Sequence, residues 1–146
     1  MKIALGCDHA GLKLKNALIA HLKEKGIETV DFGTYTADSC DYPVYAEKTA
    51  RAVACGECDL GILCCGTGIG MSMAANKIKG IRAAALSDAF SAEATRRHNN
   101  ANILCMGERV VGEGLACMLA DIFIETPFDG GRHQRRIDLV SKLDDR

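Results

Sequence analysis

The chain has 146 residues and a mass of 15.6 kDa, which fits one domain over 1–146, since a domain usually holds roughly 100–200 residues. Hydrophobic residues at 48% and charged residues at 25% exclude both an extended disordered chain and a fibrous one. Eighteen Lys plus Arg against nineteen Asp plus Glu leave a net charge of −1, so no overall field draws nucleic acid or an anionic membrane, and any anion site has to be local.

In chain order, the apolar run 2–7 predicts a first strand, and Leu14, Leu18 and Leu22 then recur at helical spacing. Gly26 follows where a left-handed cap is wanted. A second strand is predicted at 28–32, then a helix with Pro43 near its start, where the missing N–H is harmless. The run 60–64 gives a third strand, a glycine-rich loop and the short helical stretch Met71-Ser72-Met73-Ala74-Ala75. A fourth strand is expected at 81–86, then a helix capped by Ser87 or Asp88 and running to about His98. A fifth strand at 103–106 precedes a helix with Leu115, Met118, Leu119, Ile122 and Phe123 on its apolar stripe. Gly130-Gly131 then opens a helical tail with no strand after it, which needs something to pack against, a neighbouring subunit being one candidate.

The five strands show little polar alternation, the pattern of strands buried on both faces. The expected fold is α/β, a three-layer Rossmann-like sandwich with a five-stranded parallel sheet, right-handed crossovers and a C-terminal helical tail. Function in such a fold is expected at the strand C-termini. No apolar run approaches the roughly 18–20 residues that cross a bilayer, and the opening segment is too short for a signal-peptide core, so a cytoplasmic protein is expected. Its eight cysteines then read mostly as thiols. The pair Cys55 and Cys58 has the spacing of a metal or redox pair, but its nearest companions, Cys64 and Cys65, are adjacent in sequence and form no second knuckle of similar spacing.

After the first strand, Gly6-Cys7-Asp8-His9-Ala10-Gly11 places a carboxylate and an imidazole side by side, although Asp8 could equally cap the following helix. After the third, Cys65-Gly66-Thr67-Gly68-Ile69-Gly70 reads as an anion cradle, in which glycines let backbone approach a ligand and amides point at negative charge. It is neither a dinucleotide fingerprint, which needs a two-residue gap before its third glycine, nor a Walker loop, which needs a Lys, nor a phosphatase loop, because Met71 stands where Arg would be. A thiol beside a helix N-terminus can serve as nucleophile or base; Cys65 has that place, while Cys64 reads as core. Arg96-Arg97-His98-Asn99-Asn100-Ala101-Asn102 precedes the fifth strand, with His98 either a proton carrier or a helix C-cap. Arg109 follows that strand, and Arg132 with Arg136, four apart on one helical face, could grip one phosphate. Arg135 falls off that stripe and reads as solvated surface.

Taken together, these segments with Asp41-Tyr42-Pro43 and Gly131-Arg132-His133 resemble the ribose-5-phosphate isomerase B family, which includes galactose-6-phosphate isomerase subunits, from Lys2 to about Leu143. The resemblance implies interconversion of ribose 5-phosphate and ribulose 5-phosphate through an enediolate, without metal or organic cofactor. It also implies a homodimer or dimer of dimers with its active site between subunits. In that scheme Cys65 moves the proton between C1 and C2 with Thr67 beside it, and His98 opens the sugar ring with help from Asp8. Amides of Gly66, Thr67, Gly68, Ile69 and Gly70 hold the enediolate oxygen. His9, Arg132 and Arg136 bind phosphate, Tyr42 belongs to the substrate set, and Asn99 and Arg109 complete the pocket from the partner chain. Family members that use a glutamate as base carry serine in place of the cysteine; here the glutamate position is Ile69, which takes no proton. A hexose 6-phosphate of allose or galactose type is the nearest alternative substrate. A non-catalytic phosphate- or nucleotide-binding module is the alternative of a different class, disfavoured by a thiol, an imidazole and a carboxylate at three strand ends.

Overall fold

A computed structural model describes residues 1–145. Five strands, β1 (Lys2–Cys7), β2 (Glu28–Asp31), β3 (Leu60–Cys65), β4 (Ala83–Ala85) and β5 (Ile103–Gly107), form one sheet in the order β2-β1-β3-β5-β4. Every pairing is parallel, with Cys7 opposite Cys64 and Cys65 opposite Gly107. The helices are α1 (Leu12–Glu24), α2 (Tyr42–Ala54), α3 (Ile69–Ala75), α4 (Ala89–Asn99), α5 (Glu113–Glu125) and α6 (Arg132–Ser141), followed by a 3-10 turn at Lys142–Asp145. α1, α4 and α5 cover one face of the sheet and α2 and α3 the other, each over its own apolar cluster. This is the three-layer sandwich expected from the alternation of strand and helix.

Burial on both faces holds for the central strands, where β1, β3 and β5 are enclosed almost throughout, but not for the edges. β2 and β4 are only half covered, because each has one neighbour in the sheet. β4 is also shorter than the run 81–86, since residues before it are drawn into side-chain bonds. The Asn102 amide oxygen accepts from the Arg82 N–H at 2.8 Å, and its NH₂ donates to the Gly80 carbonyl. Asn76 takes both outward polar groups of Ala83, accepting from its N–H at 2.8 Å and donating to its carbonyl at 2.9 Å.

The helix punctuation follows the sequence closely. Pro43 lies in the first turn of α2, Asp88 caps α4 by accepting from the Ser91 N–H, and Gly26 takes a φ of +72° after α1. Asn100, in left-handed conformation, ends α4, so His98 is not its cap. On α5 the buried stripe is Ala116, Leu119, Ala120 and Phe123, whereas Met118 faces outward. The tail helix α6 packs on α4 of its own chain through Ile137, leaving Leu139, Val140 and Leu143 exposed.

Lys15, on α1, is fully buried. Its ammonium donates to both Asp31 carboxylate oxygens, at 2.7 and 2.9 Å, and to the Thr34 carbonyl at 2.7 Å. All three donors of the group are thereby used, which is what makes a buried cation tolerable. Lys15→Met is expected to destabilise the fold by about 3 kcal/mol, the lower end for a broken buried pair because solvent reaches Asp31. Adding Asp31→Asn should restore part of the loss; urea unfolding of the two variants measures both.

Candidate active site

Asp8 follows β1 and is nearly buried; its carboxylate accepts from the Ala10 N–H at 2.9 Å, capping a 3-10 turn at His9–Gly11 that leads into α1. The Asp8 N–H donates to the Cys64 carbonyl at 3.2 Å, and Gly11 lies so close to the Cys64–Cys65 peptide that a Cβ there would strike it. The loop after β1 is thus seated directly on the end of β3. Nδ1 of His9 accepts from the Cys40 N–H at 3.3 Å, which leaves Nε2–H as the ring donor for a ligand. Tyr42, the first residue of α2, sets its ring against Gly70.

Cys65 is the last residue of β3 and 6% exposed. The Gly68 N–H donates to its Sγ at 3.0 Å, a donor placed to receive negative charge on sulfur. Gly68 adopts φ +80°, and any Cβ there would press on the Met106 backbone, so the loop needs glycine at this point. Thr67 accepts from the Ile69 N–H through Oγ1 at 3.3 Å, which frees its hydroxyl proton for another partner. Of the five amides expected to hold an enediolate oxygen, those of Gly68 and Ile69 are therefore engaged within the loop itself. The other cysteines of the central strands are poor bases: burial pushes the Cys7 thiol up to about 12 and raises those of Cys64 and Cys105 well above the ordinary range. Cys55 is exposed and Cys58 buried beyond the end of α2, and among the described residues they join no cluster of metal ligands with Cys64 and Cys65.

His98, Asn99, Arg132 and Arg136 lie at the other edge of the sheet. α4 runs back from the C-terminal edge, so its last residues stand beside the starts of the strands; the Asn102 carbonyl, just beyond, accepts from the Gly61 N–H near the beginning of β3. The His98 and His133 rings stack with centroids 4.5 Å apart and planes 13° from parallel. With Arg82, Asn99, Arg136, Ile137 and Val140 they line a cavity of about 280 Å³. The six residues of β3, at about 3.3 Å each, separate this cluster from Cys65. The expected placement of thiol, imidazole and carboxylate at strand C-termini is therefore corrected for His98, and no side-chain rotation within one chain closes that gap. Arg109 lies at the opposite edge from His98: its guanidinium sits over Gly66 and its backbone N–H donates to the Gly66 carbonyl at 3.1 Å, beside Cys65 of its own chain.

The sequence reading gave His133 no role and passed over Asp129, Arg82 and Cys40, whose contribution is a position reached through the fold. His98, Asp129 and His133 bring potential metal-ligand atoms within 4.8 Å of one another. Arg97 already holds the Asp129 carboxylate, from Nε at 3.1 and 3.2 Å, and Arg132 and Arg136 bear on the His133 imidazole, so the local field favours an anion over a dication. A further cavity of about 780 Å³ is lined mainly by residues of α2 and of the segment after α3, with Phe32 beside them, and neither cluster contributes to it.

The family model described as Ribose/Galactose Isomerase matches residues 3–140. The chain belongs to this family. It is 50% identical over 145 residues to ribose-5-phosphate isomerase B of Escherichia coli K12, covering 99% of this chain and 97% of that one. The structure of ribose-5-phosphate isomerase B from Clostridium thermocellum superposes with a TM-score of 0.98 at 48% identity, over 99% and 98% of the two chains. That of the Mycoplasma genitalium enzyme with bound ribulose-5-phosphate gives 0.94 at 42% identity, over 99% and 97%. Among the described residues no helix is long and apolar enough to cross a membrane.

His133 is held below the ordinary imidazole range, first by desolvation and then by His98, Arg132 and Arg136, whose positive charge opposes a second one. In an NMR titration its midpoint is expected below about 6.5, and Arg136→Ala should raise it.

Proposed function

We propose that the chain interconverts ribose 5-phosphate and ribulose 5-phosphate, and that two copies combine to do so. The reading is supported by relatives of that name at about half identity and near-full coverage. The observation that carries the two-chain arrangement is the separation of the Cys65 and His98 clusters at opposite edges of one sheet. A twofold partner would set the His98, Arg132 and Arg136 end of one chain over the Cys65 mouth of the other, giving two equivalent sites.

In this scheme, His98 takes and returns the proton that opens the furanose ring, with Asp8 opposite it. Cys65 as thiolate removes the proton from C2 of the aldose to form an enediolate; the O2 hydroxyl proton passes to O1, and the Cys65 thiol returns its proton to C1 as C2=O forms, giving the ketose. Thr67 and the loop amides not spent on Sγ and Oγ1 receive the oxyanion; a single such donor is typically worth about 3–4 kcal/mol of barrier. His9 from the Cys65 end and the two arginines from the facing end hold the phosphate, so binding energy at the unreactive end fixes the reacting carbons. The base is the thiol, because Ile69, half exposed at the start of α3, brings no carboxylate to the loop.

Cys65→Ala should lower kcat by at least about 1000-fold in a coupled assay for ketopentose phosphate while phosphate-ligand affinity stays within about threefold. Turnover near the wild-type level would reject the thiol base. A complementation experiment tests the shared site. Cys65→Ala chains and His98→Asn/Arg136→Ala chains, each inactive alone, are unfolded together and refolded. About a quarter of the wild-type rate should return, since half of the dimers are mixed and each carries one intact site. No recovery would mean that each chain works alone. Parallel assays on allose 6-phosphate and galactose 6-phosphate decide between pentose and hexose.

A further inference from the structure

We propose that Glu108, in the loop after β5, is a positioning residue that holds the two halves of the Cys65 cluster in register; the role assigned to it rests on the isomerase reading above. The Glu108 N–H donates to the Cys65 carbonyl at 2.9 Å, fixing the peptide that carries the thiol. Its carboxylate accepts from the N–H of Leu14 at 3.0 Å, across 94 positions of sequence. Leu14 is the third residue of α1, and its amide is one of those that find no acceptor inside the helix.

That bond answers a conflict built into the fold. α1 begins after Gly11, which offers no side chain to cap it. The usual remedy, a Ser, Thr, Asp or Asn at the N-cap, is closed because any Cβ at position 11 would run into the Cys64 carbonyl. The close approach that seats the Asp8–His9 loop on the catalytic strand therefore strips the following helix of a local cap. Glu108 supplies the missing acceptor from the far side of that strand, and its charge suits the positive end of the helix. One residue thus grips the Cys65 peptide by its backbone and the helix behind Asp8 and His9 by its side chain. Loss of the carboxylate would let α1 and its leading loop shift against the thiol, an error felt in the chemical step more than in binding.

The test is steady-state kinetics on the intact oligomer. Glu108→Ala should lower kcat about 30-fold with KM held within about twofold. Glu108→Gln, whose amide oxygen still accepts from Leu14, should restore kcat to within about threefold of wild type, and Glu108→Asp, one methylene too short, should resemble Ala. Asp88→Ala removes the cap of α4 and should lower thermal stability comparably while leaving kcat unchanged. A wild-type kcat in Glu108→Ala or Glu108→Asp, no rescue by Gln, or an equal kcat loss in Asp88→Ala would overturn the assignment with the isomerase reading intact. A wild-type protein that turns over neither pentose nor hexose phosphate overturns both.

Discussion

The hydrogen bond from the Asp8 amide to the Cys64 carbonyl, with Gly11 pressed against the same peptide, joins the end of the first strand to the end of the third. Much of the candidate site is a consequence of that seat. It brings a carboxylate and an imidazole to the thiol's side of the sheet, and it demands a glycine where α1 begins. The mouth lies between β1 and β3, where the crossovers from the middle of the sheet diverge, the place where open parallel sheets bind ligands.

The second requirement is direction. In a parallel sheet every helix that connects strands returns its C-terminus to the opposite edge, so groups at the end of α4 and groups at the end of β3 cannot meet in one chain. In the two-chain arrangement proposed above, symmetry would bring both sets together, and the chain would need to encode only two half-sites. The half around His98 is cationic, with Arg82, Arg132 and Arg136, while the half around Cys65 carries Asp8, the glycine loop and Arg109.

What could be read in advance divides along the same physical line. Strands buried on both faces leave continuous apolar runs, and caps and left-handed turns need particular residues, so β1, β3, β5 and the signals at Gly26, Pro43 and Asp88 are visible locally. The loop 65–70 is legible for the same reason, because its glycines are demanded by backbone geometry. Lys15 is not legible, since a lysine beside an apolar stripe reads as surface until Asp31 and the Thr34 carbonyl are known to face it. Glu108 is hidden more deeply, its partner being 94 residues away. The location of His98 is not legible from residue type, because chain direction through α4 sends it to the edge of the sheet opposite Cys65.

The outward N–H and carbonyl of Ala83 are both occupied by Asn76, and β4 has only three residues. An exposed margin of a sheet is ordinarily a template on which further strands can add. Here little of that template is left on the β4 side, which makes strand addition there unfavourable. One asparagine side chain thereby occupies backbone groups of Ala83 that a foreign strand would otherwise need for pairing along that margin.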